Sequence, residues 1–339
     1  MNVLSKVTSL AAASAMVLSL AACGGGTAST PASTTSAAPE SSAPAEGAAS
    51  YTVGICQQMT HDALDAATQG FKDALNELLP GQVTFDEQDA GGEYANCGTI
   101  MDGFVSEGVD LILANATYPL QAAASATADI PILGTSVTDY ATALSIDNWT
   151  GTVGGNISGT SDLAPLDQQA AMLQELFPDA TNVGLLYCSG EPNSVYQVET
   201  IQGYLEDMGY TCAQYAFTDV NDLSSVAQTA CDNSDVIYIP TDNTAAANTE
   251  TIANVVIPAG VPVIAGESGI CSGCGVATLS ISYYDIGYKT GEMAAQILTG
   301  EADISTMPIE YAPNVTKMYN AANCEALGLT MPEDYEPIA

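Results

Sequence analysis

The sequence predicts an α/β protein of two doubly wound parallel-sheet lobes, on three observations. From residue 51 onward, short apolar runs alternate with longer helical segments. The alternation passes through four strands, pauses around residues 153–162, and restarts with the same rhythm. Strands separated by helix-length connections pair in parallel and place helices on both faces of the sheet.

In order, YTVGIC at 51–56 is a strand and 63–79 a helix; 83–88 is a strand and 95–107 a helix. LILA at 111–114 is a strand, 119–126 a helix, and 130–134 a short strand. The second lobe begins with a helix at 164–176 and a strand at 183–187. Helix 194–208, strand 211–216, helix 223–231 and strand 236–239 follow. Next come helix 244–257, strand 261–264, strand 276–281, helix 284–298 and a last crossing segment at 307–319. The strands have the length and apolar run of buried strands, and the helices are long enough to cover them.

The 339 residues hold 40 acidic residues, four Lys and no Arg, for a net charge of −36. Such a chain cannot replace phosphate counterions, so nucleic acid is excluded as a partner, and so is docking on an anionic lipid surface. One His and one Trp narrow the chemistry further. A His-based zinc site or a Ser-His-Asp triad would have to use His61, and no nucleophile motif accompanies it.

Residues 1–22 read as a signal peptide. Lys6 precedes an apolar stretch too short for a transmembrane helix, which ends in Leu20-Ala21-Ala22-Cys23. That box fits lipidation of Cys23; an ordinary signal peptide with a chance Cys is the alternative. Residues 23–50, rich in Ala, Ser, Thr, Pro and Gly, form a lipid-anchored disordered linker. The folded part is placed outside the membrane, at the extracytoplasmic face, held by the lipid alone.

Six strand-to-helix loops carry the candidate site: QQMTHDALD (57–65), NATYP (115–119), GTSVTDY (134–140), CSGEPNS (188–194), PTDNT (240–244) and GESG (266–269). Helix starts at these points offer free N–H groups and a positive dipole end. Each Ser, Thr, Asp or Asn there is equally a plain N-cap. Ligand-binding candidates are Met59, His61, Asn115, Thr117, Ser136, Thr138, Ser189, Glu191, Asn193, Ser194, Asp242, Glu267 and Tyr283. No catalytic residue, metal ligand set or cofactor site is expected.

These loops also carry a resemblance. Gly134-Thr135-Ser136-Val137-Thr138-Asp139, Gly155 through Asp162 (GNISGTSD), Gly190-Glu191-Pro192-Asn193-Ser194-Val195, Pro240-Thr241-Asp242-Asn243-Thr244 and Gly266-Glu267 stand in a telling order. Tyr283-Tyr284-Asp285-Ile286-Gly287 and Gly291-Glu292-Met293-Ala294 extend it. From about residue 51 to 329 the chain resembles the ABC-transporter substrate-binding lipoproteins whose members bind tryptophan, tyrosine or phenylalanine. It departs from them at Tyr140, in place of Pro, at Cys271-Ser272-Gly273-Cys274, and in lacking Arg.

The resemblance implies a type I periplasmic binding protein, whose lobes close on a small ligand about a three-segment hinge. It implies an ABC permease and ATPase as partners. The lobes are expected at 51–158 plus 277–308 and at 159–276 plus 309–339, with crossings near 158–163, 266–276 and 307–315. An amino-acid carboxylate, without Arg to clamp it, would use Ser136, Thr138, Ser189, Asn193 and Ser194 with helix-start N–H groups. Its ammonium would use Asp242 first and Glu191 second. Met59, Tyr118, Tyr187 and Tyr283 are candidate walls, or plain core. If Asp242 served the charge, Asp242→Asn would keep its melting point and lose the ligand.

Eight cysteines follow Cys23. Cys56 with Cys97, Cys212 with Cys231, and Cys271 with Cys274 come near one another in the expected topology, while Cys188 and Cys324 have no evident match. Disulfides and free thiols both remain open; Cys271-x-x-Cys274 lies in a loop and lacks a second metal-ligating pair. The leading function is a solute-binding protein for an aromatic amino acid. A sugar or nucleoside binder and a ligand-sensing ectodomain are the alternatives, and an enzyme is not expected.

Overall fold

The computed structural model describes residues 50–338, so the expected signal peptide, Cys23 and nearly all of the linker lie outside the described residues. The chain runs β1 (Tyr51–Gln57), α1 (Asp62–Leu78), β2 (Val83–Asp89), α2 (Tyr94–Glu107), β3 (Leu111–Asn115), α3 (Thr117–Ala126), β4 (Ile132–Val137), α4 (Tyr140–Leu144) and β5 (Ile157–Ser161). It continues through α5 (Leu166–Leu176), β6 (Asn182–Cys188), α6 (Pro192–Asp207), β7 (Thr211–Phe217), α7 (Val220–Asn233), β8 (Val236–Ile239), α8 (Asn243–Ala246) and α9 (Thr249–Ala259). Then come β9 (Val263–Ala265), α10 (Ser268–Gly273), β10 (Ala277–Ser280), α11 (Tyr283–Leu298), β11 (Glu310–Tyr311), β12 (Thr316–Tyr319), α12 (Ala321–Leu327) and β13 (Glu336–Pro337).

Two sheets result. The first has the order β11-β5-β4-β3-β1-β2 and is parallel throughout. The second has the order β13-β12-β10-β9-β8-β6-β7 and is parallel except where β12 runs against β10. Central strands are apolar because both faces are covered. In the first lobe Val53, Ile55, Phe71, Leu113 and Met293 pack the sheet against α1 and α11. Ile112, Met101, Phe104 and Leu120 pack its other face against α2 and α3. In the second lobe Leu173, Leu185, Ile201 and Tyr238 fill the α5/α6 side, and Leu223, Ile237, Ile252 and Val256 fill the α7/α9 side.

The expected alternation of elements is present, with differences. The helix expected at 244–257 is two helices, α8 and α9, and the short helices α4, α10 and α12 were not expected. Ala277–Ser280 belongs to the second sheet, where it pairs with β9 and β12, not to the first lobe as the 277–308 assignment had it. The chain therefore crosses between sheets at 162–165, 281–282 and 312–315, so the middle crossing is not at 266–276. β5 and β11 likewise put residues 159–161 and 310–311 with the first sheet. The three crossings pack on one another: Ala164, Ile281, Tyr283, Ala312 and Val315 share one apolar cluster with Ala63 and Ala67 of α1.

Tyr140, the departure noted in the sequence, has a local role. Its ring is fully buried, and its hydroxyl donates to Thr160 O at 3.0 Å. A Cβ at Gly134 or at Gly159 would sit 2.4 Å from that hydroxyl. Both glycines are therefore required where β4 and β5 meet.

Candidate functional site

The carboxyl ends of the strands of both sheets face one another, as expected where loops after parallel strands build a cleft. In the second lobe the loops after β6, β8 and β9 each place one acid. Asp242 caps α8, accepting from Ala245 N at 2.8 Å with one oxygen and from Cys188 N at 2.6 Å with the other. Glu191 reaches the same helix start: it accepts from Asn243 N at 3.0 Å, Thr244 N at 2.8 Å and Thr244 Oγ1 at 2.7 Å. Glu267 caps α10 through Gly269 N and Ile270 N. Asn193 Nδ2 and Gln197 Nε2 both donate to Thr241 O, at 3.0 and 3.2 Å. Helix starts thus organise the acids, and the acids organise the helix starts.

In the first lobe the sharpest feature is Ser136. It has φ of 54°, the left-handed region, at the irregularity between Gly134 and Val137 where β4 leaves its register with β5. It is buried, and its hydroxyl has no hydrogen-bond partner. Ala116 at the head of α3 is also left-handed, at 98°. Strained backbone beside an unpartnered buried hydroxyl marks a place shaped for something other than packing. Nearby, Thr138 Oγ1 and Tyr283 OH donate to the two oxygens of Asp162, at 3.0 and 2.9 Å. Asp162 and Tyr283 adjoin the first and second crossings, so this triad ties the hinge.

The lobes touch across the cleft. His61, at the head of α1, contacts Asn243 Oδ1 at 3.2 Å, and Asn243 Nδ2 donates to Glu191 Oε2 at 2.7 Å. Tyr118 OH donates to Gly190 O, and Gln197 Nε2 donates to Thr138 Oγ1 at 3.3 Å. Tyr94 supports Tyr118 edge-on, with ring centroids 5.4 Å apart.

Charge is the other feature. Lys72, Lys289 and Lys317 all lie at the surface, paired with Glu87, with Glu292, and with Glu175 and Asp334. Burial holds His61 below its usual value, so it is neutral at pH 7. Among the described residues, Asp162, Glu191, Asp242 and Glu267 therefore have no protein cation to neutralise them, although each is almost fully buried. Burial, then the facing Glu191, pushes Asp242 up to about 7. Burial alone is the leading cause that raises Glu267 to about 7 and Asp162 to about 6.

The structure gathers Thr117, Ser136, Thr138, Glu191, Asn193, Ser194, Asp242, Glu267, Tyr283 and His61 in or beside this closed interface. Thr117 lies with Pro192, Asn193 and Tyr196 around a narrow gap between the lobes. His61, Thr60, Ala246 and Gly269 line a cavity of about 220 Å³ at the rim.

The other candidates stand apart. Ser189 is exposed and its hydroxyl turns to Phe217 O at 3.1 Å. Asn115 braces β3 against α1, donating to Leu64 O and Thr68 Oγ1, both at 2.9 Å. Met59 packs over Gly92 within the first lobe, and Tyr187 sits in the second lobe's core with its hydroxyl on Gln214. Asn243, Gln197 and Asp162 join the site without having been among the ligand-binding candidates, although Asn243 and Asp162 stand in the motifs. Gln197 was legible as the residue one turn after Asn193 on α6.

A family model described as ABC transporter substrate binding protein matches residues 52–337. A tyrosine-binding protein of Clostridioides difficile (strain R20291) is 31% identical over 280 residues, covering 82% of this chain and 81% of that protein. Among solved structures, an ABC domain from Streptococcus pneumonia in complex with L-Trp is 29% identical, with a TM-score of 0.81, covering 86% of this chain and all of that one. A substrate-binding protein with adhesive properties from Clostridium difficile, in a ligand-free, open structure, is 33% identical over 85% of this chain and 99% of that one, yet has a TM-score of only 0.66. The better superposition on the complex, despite its lower identity, agrees with the bonds that join the two lobes here. A family match across both lobes and a site built where their strands end lead to one conclusion: the chain belongs to the ABC transporter substrate-binding proteins, an extracytoplasmic family of solute binders and not of enzymes.

Proposed function

We propose that the protein is a lipid-anchored solute-binding protein that captures an aromatic amino acid between its lobes and delivers it to an ABC importer. The observation that carries the amino-acid reading is the set of buried carboxylates facing a closed cleft with no protein cation among the described residues. Buried charge is costly unless paired, and a ligand ammonium supplies the missing partner. Glu191 and Asp242 are assigned to it, and the free hydroxyl of Ser136 to the ligand carboxylate. The aromatic side chain is supported by the tyrosine-binding relative and by the tryptophan bound to a neighbour, with Tyr118 as the nearest wall. Calorimetry of the full chain against L-tyrosine, L-tryptophan and L-phenylalanine tests the reading. Micromolar or tighter binding of one of them supports it, and saturable binding of a sugar with none of these would replace it. Cys23→Ser should release the protein from the membrane fraction; a variant that still fractionates as a mature lipoprotein would remove the anchor.

The raised carboxylates give the closed, ligand-free form an uncommon pH dependence. Asp162, Asp242 and Glu267 bind protons in the folded state at pH values where the unfolded chain has lost them, so stability falls as pH rises from about 4 to about 7. The ligand ammonium favours the ionised acids, so affinity has the opposite sign. Lowering the pH from 8 to 5.5 should weaken binding about tenfold, with proton release on binding near pH 6, as seen by calorimetry in buffers of different ionisation enthalpy. Affinity flat across that range would contradict the pairing.

Tyr118→Phe removes one bond made only when the lobes are closed. Affinity for the same amino acid should fall about two- to tenfold, because the ligand must then hold the lobes together without that bond.

A further inference from the structure

Cys56 is the penultimate residue of β1 and Cys97 lies in the first turn of α2. Both are fully buried in one apolar cluster with Ala90 and Met101. A short circuit of bonds fixes them: Ala90 N donates to Gln57 O at 2.9 Å, Asn96 Nδ2 to Ala90 O at 2.9 Å, and Cys97 N to Glu93 O at 3.4 Å. The two faces match: a Cβ on Gly54 would meet the Phe104 ring, and Cys56, two residues on along β1, and Cys97, two turns back along α2, extend the same contact. All eight described cysteines are free thiols in this structure.

From this juxtaposition we propose that Cys56 and Cys97 form a disulfide when the chain folds in the presence of a disulfide oxidant. The step balances as thiol–disulfide exchange. The Cys97 thiolate attacks one sulfur of the oxidant, forming a mixed disulfide and releasing the oxidant's other sulfur as a thiolate. The Cys56 thiolate then attacks Cys97 Sγ, closes the bond and expels the second thiolate. Two thiols of this chain are oxidised and one disulfide of the oxidant is reduced.

Cys97, in the first turn of α2, meets the positive end of that helix as it forms, which favours its thiolate and makes it the first nucleophile. Because both sulfurs are sealed in the fold, exchange takes place before α2 docks on β1. The bond would anchor the first turn of α2, which carries Tyr94, the residue that supports Tyr118 at the cleft. The inference does not depend on which solute the cleft takes.

The test refolds the full chain with oxidised glutathione, alkylates it in denaturant without reductant, and maps the peptides by mass spectrometry. The expected result is a linked Cys56–Cys97 peptide, unalkylated at both sulfurs, and a melting temperature higher by about 5 °C than that of chain refolded with reductant. The double variant Cys56→Ala with Cys97→Ala should lose that difference between oxidised and reduced refolding. Alkylation of both Cys56 and Cys97 in the oxidised sample overturns the proposal without any variant having to fold. So does a linkage of either one to a different cysteine.

Discussion

Asp242→Asn is expected to lose ligand affinity by about 30-fold to several thousand-fold and to melt at a lower temperature as well. The first effect follows from the desolvated ammonium that would be left without its charged partner, at roughly 2–5 kcal/mol. The second follows from geometry. Both carboxylate oxygens of Asp242 accept from backbone N–H groups, Ala245 N and Cys188 N. An Asn can keep its oxygen on one of them and must turn its NH2 toward the other. A buried donor facing a donor costs about 1–3 kcal/mol, partly offset by relief of the repulsion with Glu191, so a drop of a few degrees is expected. The side chain is therefore more than a charge or a cap, and the expectation that Asn would keep the melting point does not survive the second N–H. Unchanged affinity by calorimetry, with whatever melting temperature, would take Asp242 out of the site.

Gly287→Ala should lower stability by about 3 kcal/mol and the melting temperature by several degrees. Here α1 and α11 meet backbone to backbone: a Cβ on Gly287 would lie 2.0 Å from Ala67 O, and one on Gly70 would lie 2.1 Å from Tyr284 O. A flexible side chain can turn aside, but a helix backbone cannot, so the pair must separate. Separation moves the start of α11, where Tyr283 holds Asp162 at the hinge. Gly98→Ala is the matched control, because nothing lies within 4 Å of its Cβ position on α2; removing a helical glycine there should raise stability by about 0.5–1 kcal/mol. Equal melting temperatures for Gly287→Ala and the unaltered protein would show that the helices have room to spare.

The alternation of strands and helices was legible because central strands of a parallel sheet are apolar on both faces, and β1, β3, β6 and β8 all show it. What sequence could not supply was which sheet a strand joins. Residues 277–280 read as one more buried strand, and only pairing with β9 and β12 places them in the second sheet. The four-residue α8 was hidden for a related reason: Asp242 and Glu191 hold its start from two different loops. The site was legible at the level of loops. Within them, rotamers decided which residues face the cleft, so the Ser189 hydroxyl turned to β7 while Gln197, a residue of α6, reached Thr138 in the other lobe. Ser136 was named for its hydroxyl, but its left-handed backbone and the missing partner of that hydroxyl show only in the folded chain.

The central claim is that the buried acids of this cleft wait for a ligand ammonium. Its most direct test leaves the protein untouched and alters the ligand. Of tyrosine and tryptophan, the tighter binder is compared by calorimetry at pH 8 with its des-amino analogue, which keeps the ring and the carboxylate. The account predicts that the analogue binds at least about 30-fold more weakly. Equal affinity for the two would show that Asp242 and Glu191 serve only the helix starts they cap.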